Sequence, residues 1–101
     1  DANGVLSLLK TLHQTLSDDL PLLQESLDKD DVYGANRILH QLKGFTPVFC
    51  VDGLVEHVVK VEAMSKHAEA SELRAAYSLL APQLETLRTE VANHLRLHPI
   101  D

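Results

Sequence analysis

The segment His40-Gln41-Leu42-Lys43-Gly44 sets an imidazole three residues before a cation and four before a position without a side chain. On a helix, residues three and four apart share a face, so these groups stand together if the segment is helical. Such a set suits nucleophilic attack on a bulky anionic group. Imidazole is partly neutral near physiological pH and can attack phosphorus. A neighbouring ammonium neutralises phosphoryl oxygens, and Arg37, one turn before His40, offers a second cation. Gly44 removes a side chain where an approaching partner would otherwise meet one.

Whether His40 faces solvent depends on the helix that carries it. At about 100° per residue, Val32, Ala35, Ile38, Leu39, Leu42, Phe45 and Phe49 gather on one side of a helix expected over about 31–46. His40 then points about 150° from the buried direction, and Lys43 lies on the flank at about 95°. Leu9, Leu12, Leu16, Leu20, Leu23 and Leu27 form the stripe of an earlier helix, in which Pro21 predicts a bend, or a junction at Asp18-Asp19. Asp28 to Asp31 read as a polar turn ending in a helix cap. Thr46-Pro47 and Asp52-Gly53 bracket an irregular segment, after which Leu54, Val55, Val58, Val61 and Glu62 begin a third helix. Leu73, Tyr77, Leu80, Leu84, Leu87 and Val91 alternate four and three steps in a fourth, with a local bend expected at Pro82. No strand-like alternation, internal repeat or low-complexity segment interrupts this pattern. The architecture that accommodates it is all-α, an antiparallel four-helix bundle with short connections.

Composition narrows the function classes. A chain of 101 residues with 45% hydrophobic content suffices for a single domain over 1–101 with one core, too little for a catalytic domain plus a cofactor domain. The formal charge of −6, with nine dispersed Lys and Arg, disfavours nucleic acid as a partner. Phe45, Phe49, Tyr33 and Tyr77 are the aromatic residues, too few for a base-stacking platform. Apolar runs are only a few residues long, and no signal peptide or direct membrane contact is expected. Cys50, the single cysteine, reads as a buried thiol in a reducing compartment. The chain starts at Asp1 without an initiating Met, which suggests a processed protein or, in preference, a domain of a longer one.

The stretch Arg37-Ile38-Leu39-His40-Gln41-Leu42-Lys43-Gly44 resembles the signature of histidine-containing phosphotransfer (HPt) domains, in which a phosphorylatable histidine is followed by a hydrophobic residue, Lys and Gly. The likeness extends over about 9–95. Leu20-Pro21-Leu22-Leu23-Gln24-Glu25-Ser26-Leu27 and its acidic turn match the family's run-up, and Val61-Glu62 falls near its hydrophobic-Glu pair. The resemblance implies a monomeric HPt-like bundle without autonomous kinase activity, a phosphoprotein of two-component signal transduction. In such a phosphorelay the histidine accepts a phosphoryl group from a receiver-domain aspartate, as in a hybrid sensor kinase of bacteria, and passes it to the aspartate of a response regulator. No cofactor of its own is implied, and Mg2+ is expected on the partner receiver. By this likeness His40 is the phosphoacceptor and Lys43 the group that stabilises phosphoryl charge. Gly44 is clearance for the receiver, and Arg37, Gln41, Pro47 and Val48 are contact candidates. A cytoplasmic setting follows, either free or as the C-terminal part of a membrane-bound sensor kinase. The chain departs from the family after Gly44: Pro47 and Cys50 stand where small residues are usual, and the second glycine comes only at Gly53. The geometry of 47–53 is therefore not implied.

Other readings compete. The dimerisation and phosphoacceptor domain of a histidine kinase also carries His on a helix, but an acid directly after it and a Pro five positions on, where this chain has Gln41 and Phe45. His94 and His98 have the spacing of two imidazoles on one helix face, a weak metal signal because Pro99 ends the helix and no further ligand motif accompanies them. His13, His57 and His67 read as surface or boundary residues, and Glu69 to Arg74 and Glu85 to Glu90 as solvated faces with pairs such as Glu85 and Arg88. A purely structural or interaction bundle is the blandest reading: an exposed helical histidine is commonly just solvated, and a helical glycine commonly packs against a neighbour.

Overall fold

The computed structural model describes the backbone of residues 2–49 and 52–97, and side chains over 3–47 and 53–97. Its elements are α1 (Ala2–Asp28), α2 (Val32–Phe49), α3 (Asp52–Met64) and α4 (Ala70–Leu97). Consecutive helices are joined by short connections and pack against each other, and α4 closes the ring on α1, so the helices run alternately up and down. No helix among the described residues is long and apolar enough to cross a membrane.

The leucine stripe does what its period predicts. Leu12, Leu16, Leu20, Leu23 and Leu27 of α1 meet Ala35, Leu39 and Leu42 of α2, Val58 and Val61 of α3, and Leu73, Tyr77, Leu80, Leu84 and Val91 of α4 in one core. Each large side chain withdrawn from water contributes roughly 1.5–3 kcal/mol. Phe45 is partly buried against this core, whereas the side chains of Phe49 and Val48, and Cys50 entirely, lie outside the described residues. The four helices close around this core.

Pro21 leaves one of its two expected outcomes, and Pro47 departs from expectation. Pro21 sits inside a single helix, so there is no junction at Asp18-Asp19. Pro47 does not end α2, which continues to Phe49, and α3 starts at Asp52, ahead of Leu54. An interior proline costs about 3 kcal/mol by removing one hydrogen bond and crowding the preceding turn. Pro21, Pro47 and Pro82 are all on exposed faces, where water can hydrate the freed carbonyls, while the opposite faces keep their apolar burial. Thr46, beside Pro47, is fully buried, with its hydroxyl donating to the Leu42 carbonyl at 2.8 Å.

The α1–α2 connection fixes where α2 begins. Asp30 adopts φ 58°, and its N–H and that of Asp31 donate back to Leu27 and Ser26 at 3.2 and 2.8 Å, which closes the end of α1. Asp31 then caps α2: its Oδ1 accepts the Gly34 N–H at 2.9 Å, as the acidic turn predicts. A Cβ on Gly34 would crowd the Asp31 carboxylate and the Ser26 hydroxyl, so a side chain there would oblige the capping carboxylate to shift. Arg74 of α4 ties the same turn down, donating to the Leu27 carbonyl at 3.3 Å and pairing with Asp30.

Candidate functional site

His40 stands midway along α2 with its side chain 69% exposed, while Leu39 and Leu42 beside it are fully buried. The predicted direction is therefore realised: apolar burial on one face holds the imidazole out on the other. Gly44, one turn on, is exposed, and a Cβ built there meets nothing within 4 Å among the described residues. Packing against those residues does not account for this glycine.

On the α3 side of His40 lies a buried carboxylate. Glu62 is 1% exposed, and its Oε1 accepts from Lys43 Nζ at 2.8 Å, is 3.5 Å from Lys66 Nζ and faces His40 Nδ1 at 3.8 Å. Its Oε2 accepts from Asn36 Nδ2 at 3.4 Å. Asn36 also donates to Ser65 Oγ at 2.6 Å, and Ser65 Oγ donates to the Glu62 carbonyl at 2.5 Å. This network crosses from α2 to the end of α3 and fixes the carboxylate. The hydrogen bond from Lys43 holds the Glu62 carboxyl below its ordinary 4.5 and outweighs the opposing effect of burial. The His40 contact is too long for a hydrogen bond and acts through charge.

On the α1 side, Arg37 and Gln41 are exposed and line a groove with Ile38 and Gly34 of α2 and Asp19 and Leu22 of α1. Leu22 is 52% exposed. Asp19 Oδ2 is buried without a hydrogen-bond partner, and burial, reinforced by Asp18, raises its carboxyl above the ordinary 3.8. The site residues expected from sequence thus divide. His40 and Lys43 meet through Glu62, whereas Arg37 and Gln41 lie on the opposite flank. Pro47 is exposed near the end of α2 beyond Gly44, and the side chain of Val48 is outside the described residues.

Asn36, Ser65 and Lys66 carry no local sequence signal, because what joins them to His40 is the packing of α3 on α2. For Glu62 a signal existed, the hydrophobic-Glu pair, but not its contact with Lys43. Of the remaining histidines, His57 Nδ1 lies 2.6 Å from Gln83 Oε1, His67 and His94 are exposed, and His98 is outside the described residues. Among the described residues no three His, Cys, Asp or Glu side chains come together as a metal site. Glu85 and Arg88 pair at 3.0 Å on the surface of α4.

The Hpt domain family model matches residues 7–95. Comparisons with curated proteins and with solved structures gave no match. Four helices around one core, and a family match over most of the chain, lead to one assignment: this chain belongs to the Hpt domain family, whose members serve phosphotransfer in two-component signalling and interact with receiver domains.

Proposed function

We propose that this chain is a phosphorelay intermediate, in which His40 accepts a phosphoryl group from a receiver-domain aspartate and passes it to the aspartate of a response regulator. The observation that carries this reading is the pairing of an exposed His40 ring with the buried Glu62 carboxylate on its inner edge. The Nε2 lone pair attacks phosphorus and the N–P bond forms as the P–O bond of the acyl phosphate breaks, its electron pair staying on the aspartate carboxylate. Attack places positive charge on an imidazole that keeps its Nδ1 proton. Glu62 faces that charge, and stabilising a charge that develops only during transfer lowers the barrier. The same proton keeps the imidazole a good leaving group, so transfer runs in both directions.

Lys43 is the cation for the phosphoryl oxygens in this reading. Arg37, Gln41, Gly44, Pro47 and Val48 form the receiver-docking rim, and the open space above Gly44 supports that use. Mg2+ belongs to the receiver. The domain itself acts as a monomer in the cytoplasm, as part of a hybrid sensor kinase chain or beside one. The bundle contributes a nucleophile held on a rigid helix, which saves the orientational cost of bringing it to the phosphoryl group. The relay is tested with two receivers, one phosphorylated and one not. Label should reach the second receiver only when this chain is present and should fail to do so with His40→Gln; label passing equally well without the chain overturns the proposal.

A further inference from the structure

Lys66 follows the last turn of α3, and its backbone position is fixed by Ser65, which is buried and bonded to both Asn36 and the Glu62 carbonyl. Its ammonium lies 3.5 Å from Glu62 Oε1, the oxygen that Lys43 already occupies at 2.8 Å. Lys66 is 59% exposed and Lys43 35%, so the outer of the two cations is the freer. One carboxylate therefore faces two ammonium groups, leaving a surplus positive charge beside His40 in a chain whose formal charge is −6.

This redundancy has a physical use. If Lys43 turns to a phosphoryl group on His40, it leaves Glu62, and a buried carboxylate without a counter-charge is strongly unfavourable. A second ammonium already at the same oxygen removes that penalty. Resting on the reading of His40 as phosphoacceptor, we propose that Lys66 is a positioning residue for phosphotransfer: it takes over Glu62 when Lys43 engages the phosphoryl oxygens. Glu62 keeps a cation throughout, and Lys43 is released to the reacting group. Lys66, 59% exposed and 3.5 Å from Glu62 Oε1, is held close to the carboxylate but not committed to it, which suits this role.

The experiment measures the rate at which His40 is labelled by an aspartyl-phosphorylated receiver and by potassium phosphoramidate, with unfolding midpoints taken in parallel. Lys66→Gln should slow labelling about three- to tenfold, the scale of one partly exposed charge contact, with its midpoint close to wild type. Lys66→Arg should restore the rate. In a Glu62→Gln background, where no carboxylate needs a counter-charge, Lys66→Gln should slow labelling no further than Glu62→Gln alone. Wild-type rates in Lys66→Gln, or the same loss in both backgrounds, overturn the inference while leaving His40 as acceptor. If wild type is labelled on His40 by neither donor, the reading of the site fails and the inference with it.

Discussion

Lys43 Nζ donates to Glu62 Oε1 at 2.8 Å, and through that bond a residue of α3 sets the position of a cation one turn from His40 on α2. The two residues are far apart in sequence, so the contact exists only when the helices pack. It links stability to the site.

Replacing Glu62 should therefore affect both. Glu62→Ala removes the shared partner of Lys43, Lys66 and Asn36 and should cost about 1–3 kcal/mol, read as a lower denaturation midpoint. The pH dependence has a definite sign. Lys43 depresses the folded-state value of the Glu62 carboxyl below 4.5, so its contribution is in place above that pH and is lost as pH falls through the depressed value. Glu62→Gln should flatten that part of the acid limb; an unchanged limb would show that the ion pair does not hold in solution.

Gly44 separates fold from docking. A helix-interior glycine with open space above it should gain about 0.5–1 kcal/mol on replacement by Ala. Gly44→Leu should also fold, with labelling of His40 by phosphoramidate near wild type and by a phosphorylated receiver at least about tenfold slower, because a small donor avoids the clash that a domain meets. Equal rates with the receiver would remove Gly44 from the docking rim.

Asp19 is expected to weaken the fold at neutral pH. Its folded-state carboxyl titrates above the ordinary 3.8 because burial disfavours the charge, so the cost is absent below 3.8 and develops as pH rises through the raised value. Asp19→Asn should raise the melting temperature at pH 7 by about 2–4 °C, for a gain of about 0.5 kcal/mol, with the difference fading in acid. A lower melting temperature would indicate that the carboxylate has a partner in solution.

The residues with strong periodicity were the legible ones. Leu12 to Leu27 and Leu73 to Val91 announced two helices because burial repeats with the helical turn, and the same logic set Leu42 inward and His40 outward. Helix ends were less legible. Pro47 carries a stop signal that exposure to water and apolar burial on the opposite face overrode, and Thr46, read as the start of an irregular segment, is buried instead. The cap at Asp31 was readable because its chemistry is local. The network of Asn36, Glu62, Ser65 and Lys66 was not, since polar residues at helical spacing look like solvated surface until a second helix covers them. Gly44 was ambiguous between packing and clearance, since the sequence does not say what stands above its Cα; among the described residues nothing does.

The central claim is that His40 carries the phosphoryl group. Incubation with a receiver labelled on its aspartate should yield acid-labile, base-stable label on this chain, mapped to His40 and absent from His40→Gln. Label that persists in His40→Gln, or that never appears with any receiver from the same organism, would contradict the account.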